Sequence, residues 1–250
     1  MFFVNISQFV LVGFRRRSVK WTALVNKAMS LLKRLHHARR LTRSLSTAIS
    51  TEETVKNDFR DLMRRAAQPV AVVTALTREG YRYHGATLSS FTSIALDPHP
   101  LVAFSLRMPS RLANAIKTIP PNPSTPHLVV NILAEHQPHR AEDFVNATEN
   151  MWDHIPHTHS EEGIPVLSGS LGAISCRLVG PPIPLHDLDF LELGVEERLA
   201  EAPVLSSELY LARVLRVEKV DQEAGLKREV LPLIYRHRTY TTCLPFDKLT

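Results

Sequence analysis

Cysteine and glycine are both scarce in this chain. Only Cys176 and Cys243 occur in 250 residues, which excludes a disulfide framework, and with no Cys pair at metal-ligand spacing a zinc ribbon is excluded too. Cys176 sits in the run Ala173-Ile174-Ser175-Cys176-Arg177-Leu178 and reads as a buried, inert thiol. Nine glycines leave no room for a long Gly-rich linker. Long apolar runs are also missing. Met1–Phe14 is uncharged, but fourteen residues fall short of the roughly 20 that a membrane-spanning helix needs. Acidic residues are absent from positions 1–50, which hold ten Lys and Arg. The formal charge of +5 therefore misleads: in residues 51–250, 20 basic groups face 25 acidic ones, a net of −5. A nucleic-acid-binding body loses its electrostatic support. At 44% hydrophobic and 22% charged, the composition is globular and excludes wholesale disorder.

What the first fifty residues do have is Arg, Ser and an amphipathic pattern. Between Lys20 and Leu45, Leu24, Met29, Leu31, Leu32, Leu35 and Leu41 interleave with Lys27, Lys33, Arg34, Arg39 and Arg40. This is the composition of an organellar transit peptide, and Arg43-Ser44-Leu45-Ser46 offers a processing point. The expectation is a mitochondrial leader over residues 1–46 and a protein delivered to the matrix. The alternative is a basic tail that binds RNA or lipid.

Residues 51–250 show no repeat and no linker, so they read as one domain. A helix opens it, capped by Thr51 or Thr54, with Val55, Phe59, Leu62 or Met63, and Ala66 as its expected buried stripe. After Pro69 the texture is β. Strands are expected at Val70–Leu76, Tyr81–Ser93, Leu101–Leu106, His127–Leu133, Gly172–Val179, Ser207–Val220 and Leu231–Tyr235, with Arg78-Glu79-Gly80 as a turn. Short helices are expected at Ser110–Thr118 and Pro138–Asn146. The class is mainly β with short helices, in a closed or partly closed barrel. Long helices do not alternate with the strands, which argues against a doubly wound sheet.

Two stretches carry chemistry. In Gly85-Ala86-Thr87-Leu88-Ser89-Ser90-Phe91-Thr92-Ser93 a hydroxyl-rich strand offers donors to a flat polar ligand; the plainer reading is an edge strand with a solvated face. In Arg107-Met108-Pro109-Ser110-Arg111 a Ser-capped helix start stands between two guanidinium groups, a place that favours phosphate. No Gly-x-Ser-x-Gly elbow and no His-Glu-x-x-His helix is present. His154, His157 and His159 lie beside Pro156 with no helical spacing, so a solvated loop is expected there and no metal site. Trp152 is expected to pack over a barrel mouth.

In order along the chain, Pro69-Val70-Ala71-Val72-Val73-Thr74, Gly85–Phe91, Leu96-Asp97-Pro98-His99-Pro100-Leu101-Val102 and Ser110-Arg111 resemble the flavin reductase-like family of the FMN-binding split barrel. Val130-Asn131-Ile132-Leu133-Ala134, Gly163-Ile164-Pro165-Val166-Leu167 and Pro232-Leu233-Ile234-Tyr235 continue the resemblance, which spans roughly residues 59–240. It implies a homodimeric split β-barrel over 51–250 that holds FMN, in some members FAD, near the dimer interface. It places Thr87, Leu88, Ser89 and Ser90 along the flavin, Ser105 and Leu106 near its ring, Ser110 and Arg111 at its phosphate, and Asn131 as a further neighbour. It also implies NADH or NADPH as reductant and, in two-component systems, an oxygenase that takes the reduced flavin.

There is one departure from the family pattern. Many members carry Gly-Asp-His before a late strand, linked to nicotinamide binding; here the chain reads Leu205-Ser206-Ser207-Glu208-Leu209-Tyr210. The preceding insertion Pro181–Pro203 contains His186-Asp187, and no catalytic His is assigned. The leading reading is a mitochondrial NAD(P)H-dependent, FMN-binding oxidoreductase. The alternatives are a flavin-binding or degenerate split barrel acting as an interaction module, and a related oxidase or ester-cleaving flavoprotein.

Overall fold

A computed structural model describes residues 51–77, 82–119, 124–146, 150–193, 206–221 and 229–244. The expected leader over 1–46 and the expected turn at 78–80 lie outside them. The chain divides into two units, Met1–Met63 and Arg64–Thr250.

Residues 51–65 form helix α1. Its expected stripe is not buried: Val55, Phe59 and Leu62 are 60%, 62% and 61% exposed. Helical spacing puts these residues on one face but supplies no partner to cover it.

In the second unit the strands follow β-branched and small apolar runs. Short β1 (Gln68–Pro69) precedes β2 (Ala71–Thr77), β3 (Arg82–Leu88), β4 (Thr92–Ala95) and β5 (Leu101–Met108). Helix α2 (Arg111–Lys117) leads to β6 (Leu128–Ile132), then α3 (Pro138–Val145) and the hairpin β7 (His157–His159) with β8 (Pro165–Leu167). The chain ends through β9 (Gly172–Leu178), β10 (Ile183–Pro184), α4 (Leu188–Leu193), β11 (Ser206–Glu218), β12 (Ile234–Arg236) and β13 (Thr239–Thr241).

The main sheet runs β3-β2-β6-β9-β11-β5-β4, with β10 added to β11, and every pairing is antiparallel. It curls around a core of Ala71, Val73, Val102, Phe104, Leu106, Leu112, Leu128, Val130, Cys176 and Tyr210. Phe104 and Tyr210 stack with centroids 5.3 Å apart, a contact worth about 0.5–1.5 kcal/mol beyond its burial. Cys176 is fully buried, and burial pushes its thiol up to about 12. On the other side of the sheet, Val70, Val72, Ala141, Phe144, Ile155 and Leu167 make a second core under α3.

The long strand expected over Tyr81–Ser93 is two strands, because the chain leaves the ladder at Ser89-Ser90-Phe91. β3 lies at one edge of the curled sheet and β4 at the other, so no single straight strand could pair in both places. That break turns an open sheet into a split barrel. The histidine loop also differs from expectation. His157–His159 is strand β7, paired with β8 across a turn whose Gly163 takes φ +81°, a conformation that suits glycine.

Candidate functional site

The break between β3 and β4 makes the cleft. Released from the ladder, Ser90 turns its hydroxyl to β5, where it accepts from Ser105 N–H at 3.0 Å and lies 3.2 Å from Ser105 C=O, to which it donates. One side chain thus takes the place of a missing strand at Ser105 and ties the two lips of the split together. Around this tie lies a cleft of about 320 Å³, lined by Ala86, Thr87, Leu88, Ser89, Ser90, Ser105, Leu106, Arg107, Ser110 and Ser207. This is at the small end of the range for ligand pockets.

Seven of the nine expected site residues meet there: Thr87, Leu88, Ser89, Ser90, Ser105, Leu106 and Ser110. Their roles differ. The Thr87 hydroxyl is engaged, donating to Ala141 C=O at 2.7 Å and holding α3 against β3. Leu88 and Leu106 are 5% and 3% exposed and belong to the core. Ser110 caps α2, its hydroxyl accepting from Ala113 N–H at 3.2 Å, which leaves its own proton to donate. Ser89 and Arg107 are open to solvent.

Two expected residues stand apart. Arg111 is exposed on the first turn of α2, outside the cleft lining, and its charge helps to lower the pKa of His84. Asn131 is fully buried and does not line the cleft. Its amide donates to Val72 C=O at 3.2 Å and to the Thr74 hydroxyl at 3.3 Å, while its carbonyl accepts from Leu167 N–H at 2.8 Å. It pins the β7–β8 hairpin to the sheet, a structural task that consumes its hydrogen-bonding groups.

Three lining residues were missing from the expected set. Ala86 adjoins the hydroxyl run. Arg107 figured in the phosphate argument but was not placed in the site. Ser207 arrives only through strand pairing, directly opposite Arg107, and nothing local in the sequence marks it.

The start of the insertion that precedes β11 folds back on this end of the strand. Ile183 pairs with Leu209 and Pro184 with Glu208, and Leu185 N–H donates to Ser207 C=O at 2.9 Å. His186 follows, close enough for its charge to act on Glu208. Glu208 accepts from Lys117 at 2.6 Å and from the Tyr210 hydroxyl at 2.7 Å. Burial pushes its carboxyl up, but these bonds and the charges of Lys117 and His186 outweigh it, so the net shift is down. Burial and this carboxylate push the Tyr210 phenol up.

Elsewhere, the histidine hairpin is an aromatic cluster. Trp152 Nε1–H donates to Tyr83 C=O at 3.2 Å, and its ring meets those of Tyr83, Phe144 and His157 edge-on, with centroids 5.3–5.5 Å apart. Tyr83 hydroxyl and His159 Nε2 are hydrogen-bonded at 2.8 Å. In the C-terminal hairpin the rings of Tyr235 and Tyr240 pair across strands at 5.4 Å, and Arg236 donates to Arg65 C=O at 3.0 Å. Among the described residues, no three His, Cys, Asp or Glu side chains are grouped to hold a metal ion, and no helix is long and apolar enough to cross a membrane.

A curled antiparallel half-barrel with a hydroxyl-lined split defines a split-barrel protein. Residues 63–243 match the model of the flavin reductase like domain, and the chain belongs to that family. It is similar to the NADH:FMN oxidoreductase of Rhodococcus erythropolis, with 34% identity over 181 residues, 67% of this chain and 83% of the relative. It is also similar to the NADPH-flavin oxidoreductase of Streptomyces viridifaciens, with 29% identity over 62% of this chain and 74% of the relative. Among solved structures, a homologue of nitrilotriacetate monooxygenase component B from Mycobacterium thermoresistibile superposes with a TM-score of 0.58 and 24% identity, over 80% of this chain and 92% of that one. The styrene monooxygenase flavin reductase of Pseudomonas putida S12 gives a TM-score of 0.52 and 24% identity, over 75% and 99%. These two likenesses support the fold.

Proposed function

We propose that the protein is an NAD(P)H-dependent flavin reductase that binds FMN in the cleft between the end of β3 and β5. The observation that carries this reading is the cleft itself, with five serines and an arginine gathered at the split of a barrel of this family. The donor set fits such a ligand. Hydroxyls of Ser89, Ser105 and Ser207 suit the polar edge of a flat ring and a polyol chain, and Arg107 beside the Ser110 hydroxyl suits a phosphate. The chemistry supplied by a bound flavin is hydride acceptance from reduced nicotinamide and delivery of the electrons onward. The chain then has to bind, orient and exclude water. Ser90 is already fixed by its two contacts to Ser105, so the lip it forms is set before any ligand arrives. No protein nucleophile is required.

The relatives' names, NADH:FMN oxidoreductase and NADPH-flavin oxidoreductase, support the same reading for this chain. A monooxygenase component and a monooxygenase flavin reductase among the structural neighbours support an oxygenase as recipient of the reduced flavin. A homodimer belongs to the proposal, and light scattering on the purified protein tests it: twice the monomer mass is expected. The acid-free leader supports mitochondrial import. Residues 1–46 fused to a cytosolic reporter should carry it to the matrix, and a reporter left in the cytosol contradicts this.

Anaerobic addition of NADH or NADPH to the FMN-loaded protein tests the activity. Bleaching of the flavin's yellow absorbance within the mixing time of a turnover assay is expected. Protein that binds FMN and stays yellow with both reductants overturns the reductase reading in favour of a flavin-binding module.

A further inference from the structure

On the face of β9 and β11 turned away from the core, Arg177 and Arg213 stand directly opposite each other. The alternation fixes the face, since their neighbours Cys176 and Ala212 are fully buried in the core. Like charges in directly opposed positions destabilise a strand pair. Among the described residues nothing relieves them. Each Nε is shut off from solvent without an acceptor. Among the described residues the Arg177 guanidinium donates one hydrogen bond, a long one of 3.4 Å to Leu178 C=O, and no carboxylate pairs with either arginine. Arg216, three residues further along β11, shows the contrast: it is held by Glu161, Glu162 and Glu218. Two half-buried guanidinium groups with no counter-charge are costly unless an anion joins them.

The pair is connected to the cleft. Along the same face, β5 and β11 pair Arg107 with Ser207, Ser105 with Leu209, Ala103 with Leu211, and Leu101 with Arg213. Three of these positions, Ser105, Arg107 and Ser207, line the cleft. Arg213 lies six steps along β11 from Ser207, about 20 Å. The face is thus polar at the cleft, apolar along Leu209 and Leu211, and doubly cationic at its far end. The phosphates of a nicotinamide dinucleotide lie away from its reactive ring, towards the adenosine, as the cationic end of this face lies away from the cleft.

We propose that Arg177 and Arg213 form an oxyanion site for a phosphate on the adenosine half of the nicotinamide dinucleotide. This inference rests on the reductase reading. The guanidinium forks suit phosphate oxygens, which a lysine pair would meet only as point charges. The phosphate is either the diphosphate shared by NADH and NADPH or the ribose 2′-phosphate of NADPH alone.

Calorimetric titration of the full chain with ADP and with adenosine 2′,5′-bisphosphate tests the site in wild type, Arg177→Gln and Arg213→Gln. A ten- to hundred-fold weaker affinity is expected in each variant, with KM for the reductant raised and kcat kept. Loss with both ligands assigns the diphosphate; loss with the bisphosphate alone assigns the 2′-phosphate and an NADPH preference. Arg213→Lys, which keeps the charge, is expected to fall between. Because each Gln variant relieves a like-charge pair, its melting temperature should hold or rise, which separates ligand loss from unfolding. A fluorescence titration with FMN runs in parallel. Intact FMN binding with adenosine phosphates that bind alike to all forms, or to none, overturns the arginine site alone, whereas absent FMN binding overturns the reductase reading. Variants that drop from dimer to monomer also overturn the site, since the pair would then hold a carboxylate of a second copy.

Discussion

Arg107 and Arg111 flank the same helix start, yet only Arg107 lines the cleft. If the phosphate of FMN lies there, Arg107→Ala removes a charge-assisted hydrogen bond worth about 1.5–3 kcal/mol, or a roughly ten- to hundred-fold loss of FMN affinity. Riboflavin has no phosphate, so its affinity should hold. Arg111→Ala should cost FMN less than Arg107→Ala does. Paired fluorescence titrations check this, and equal losses for FMN and riboflavin would remove Arg107 from the phosphate end. At this scale the sequence was partly legible. The hydroxyl run from Thr87 to Ser90 and the Ser110 cap are local patterns, and both reached the cleft. Asn131 was misleading because an asparagine in a strand looks the same whether it faces a ligand or a hairpin. Ser207 was invisible because its place depends on register with a strand a hundred residues earlier.

At the scale of elements, the packing of α3 on β3 sets one wall of the cleft. The Thr87 hydroxyl holds the helix from one side. Gly85 lets the Phe144 ring come close to the strand, for a Cβ at Gly85 would collide with that ring. Gly85→Ala should therefore destabilise the protein by about 1–3 kcal/mol, the usual effect of overpacking, as read by denaturant midpoint. An unchanged midpoint would show that the ring has room to move. Strand and helix positions were readable from period and capping: α2 and α3 lie where Ser110 and Pro138 predict, and β2, β5, β6, β9 and β11 match their apolar runs to within about two residues. Besides the histidine loop, two elements were misread for physical reasons. Hydroxyl-rich β3 and β4 look continuous because a chain leaving one sheet edge for the other makes no local signal. The stripe on α1 looks buried because amphipathic spacing records a face and not its neighbour.

For the whole molecule, stability should depend on pH in a direction set by His84 and His159. Burial lowers the pKa of both, helped by the charges of Arg111 and Arg82 at His84 and of His157 at His159. Folded, they bind protons more weakly than the unfolded chain does near 6.5, so stability is full above that pH and falls as pH drops below it. Further down, near 4.5, Glu162 and Glu208 add to the loss, because hydrogen bonds from Arg216 and Ser160, and from Lys117 and Tyr210, outweigh burial and hold both carboxyls below their ordinary value. Thermal melts between about pH 7 and pH 5 should show the decline, and His84→Gln should flatten it; a variant with the same slope would acquit His84.

The claim on which the rest depends is that the split between β3 and β5 holds the flavin. Ser207 tests it directly, since it lines the cleft from the opposing strand. Ser207→Trp fills that space while leaving the core and the Ser90–Ser105 tie alone. Titrating FMN fluorescence against wild type and variant should show saturable quenching at one flavin per chain in the first and none in the second, at equal melting temperature. Equal FMN binding by both proteins would place the flavin elsewhere and contradict the account.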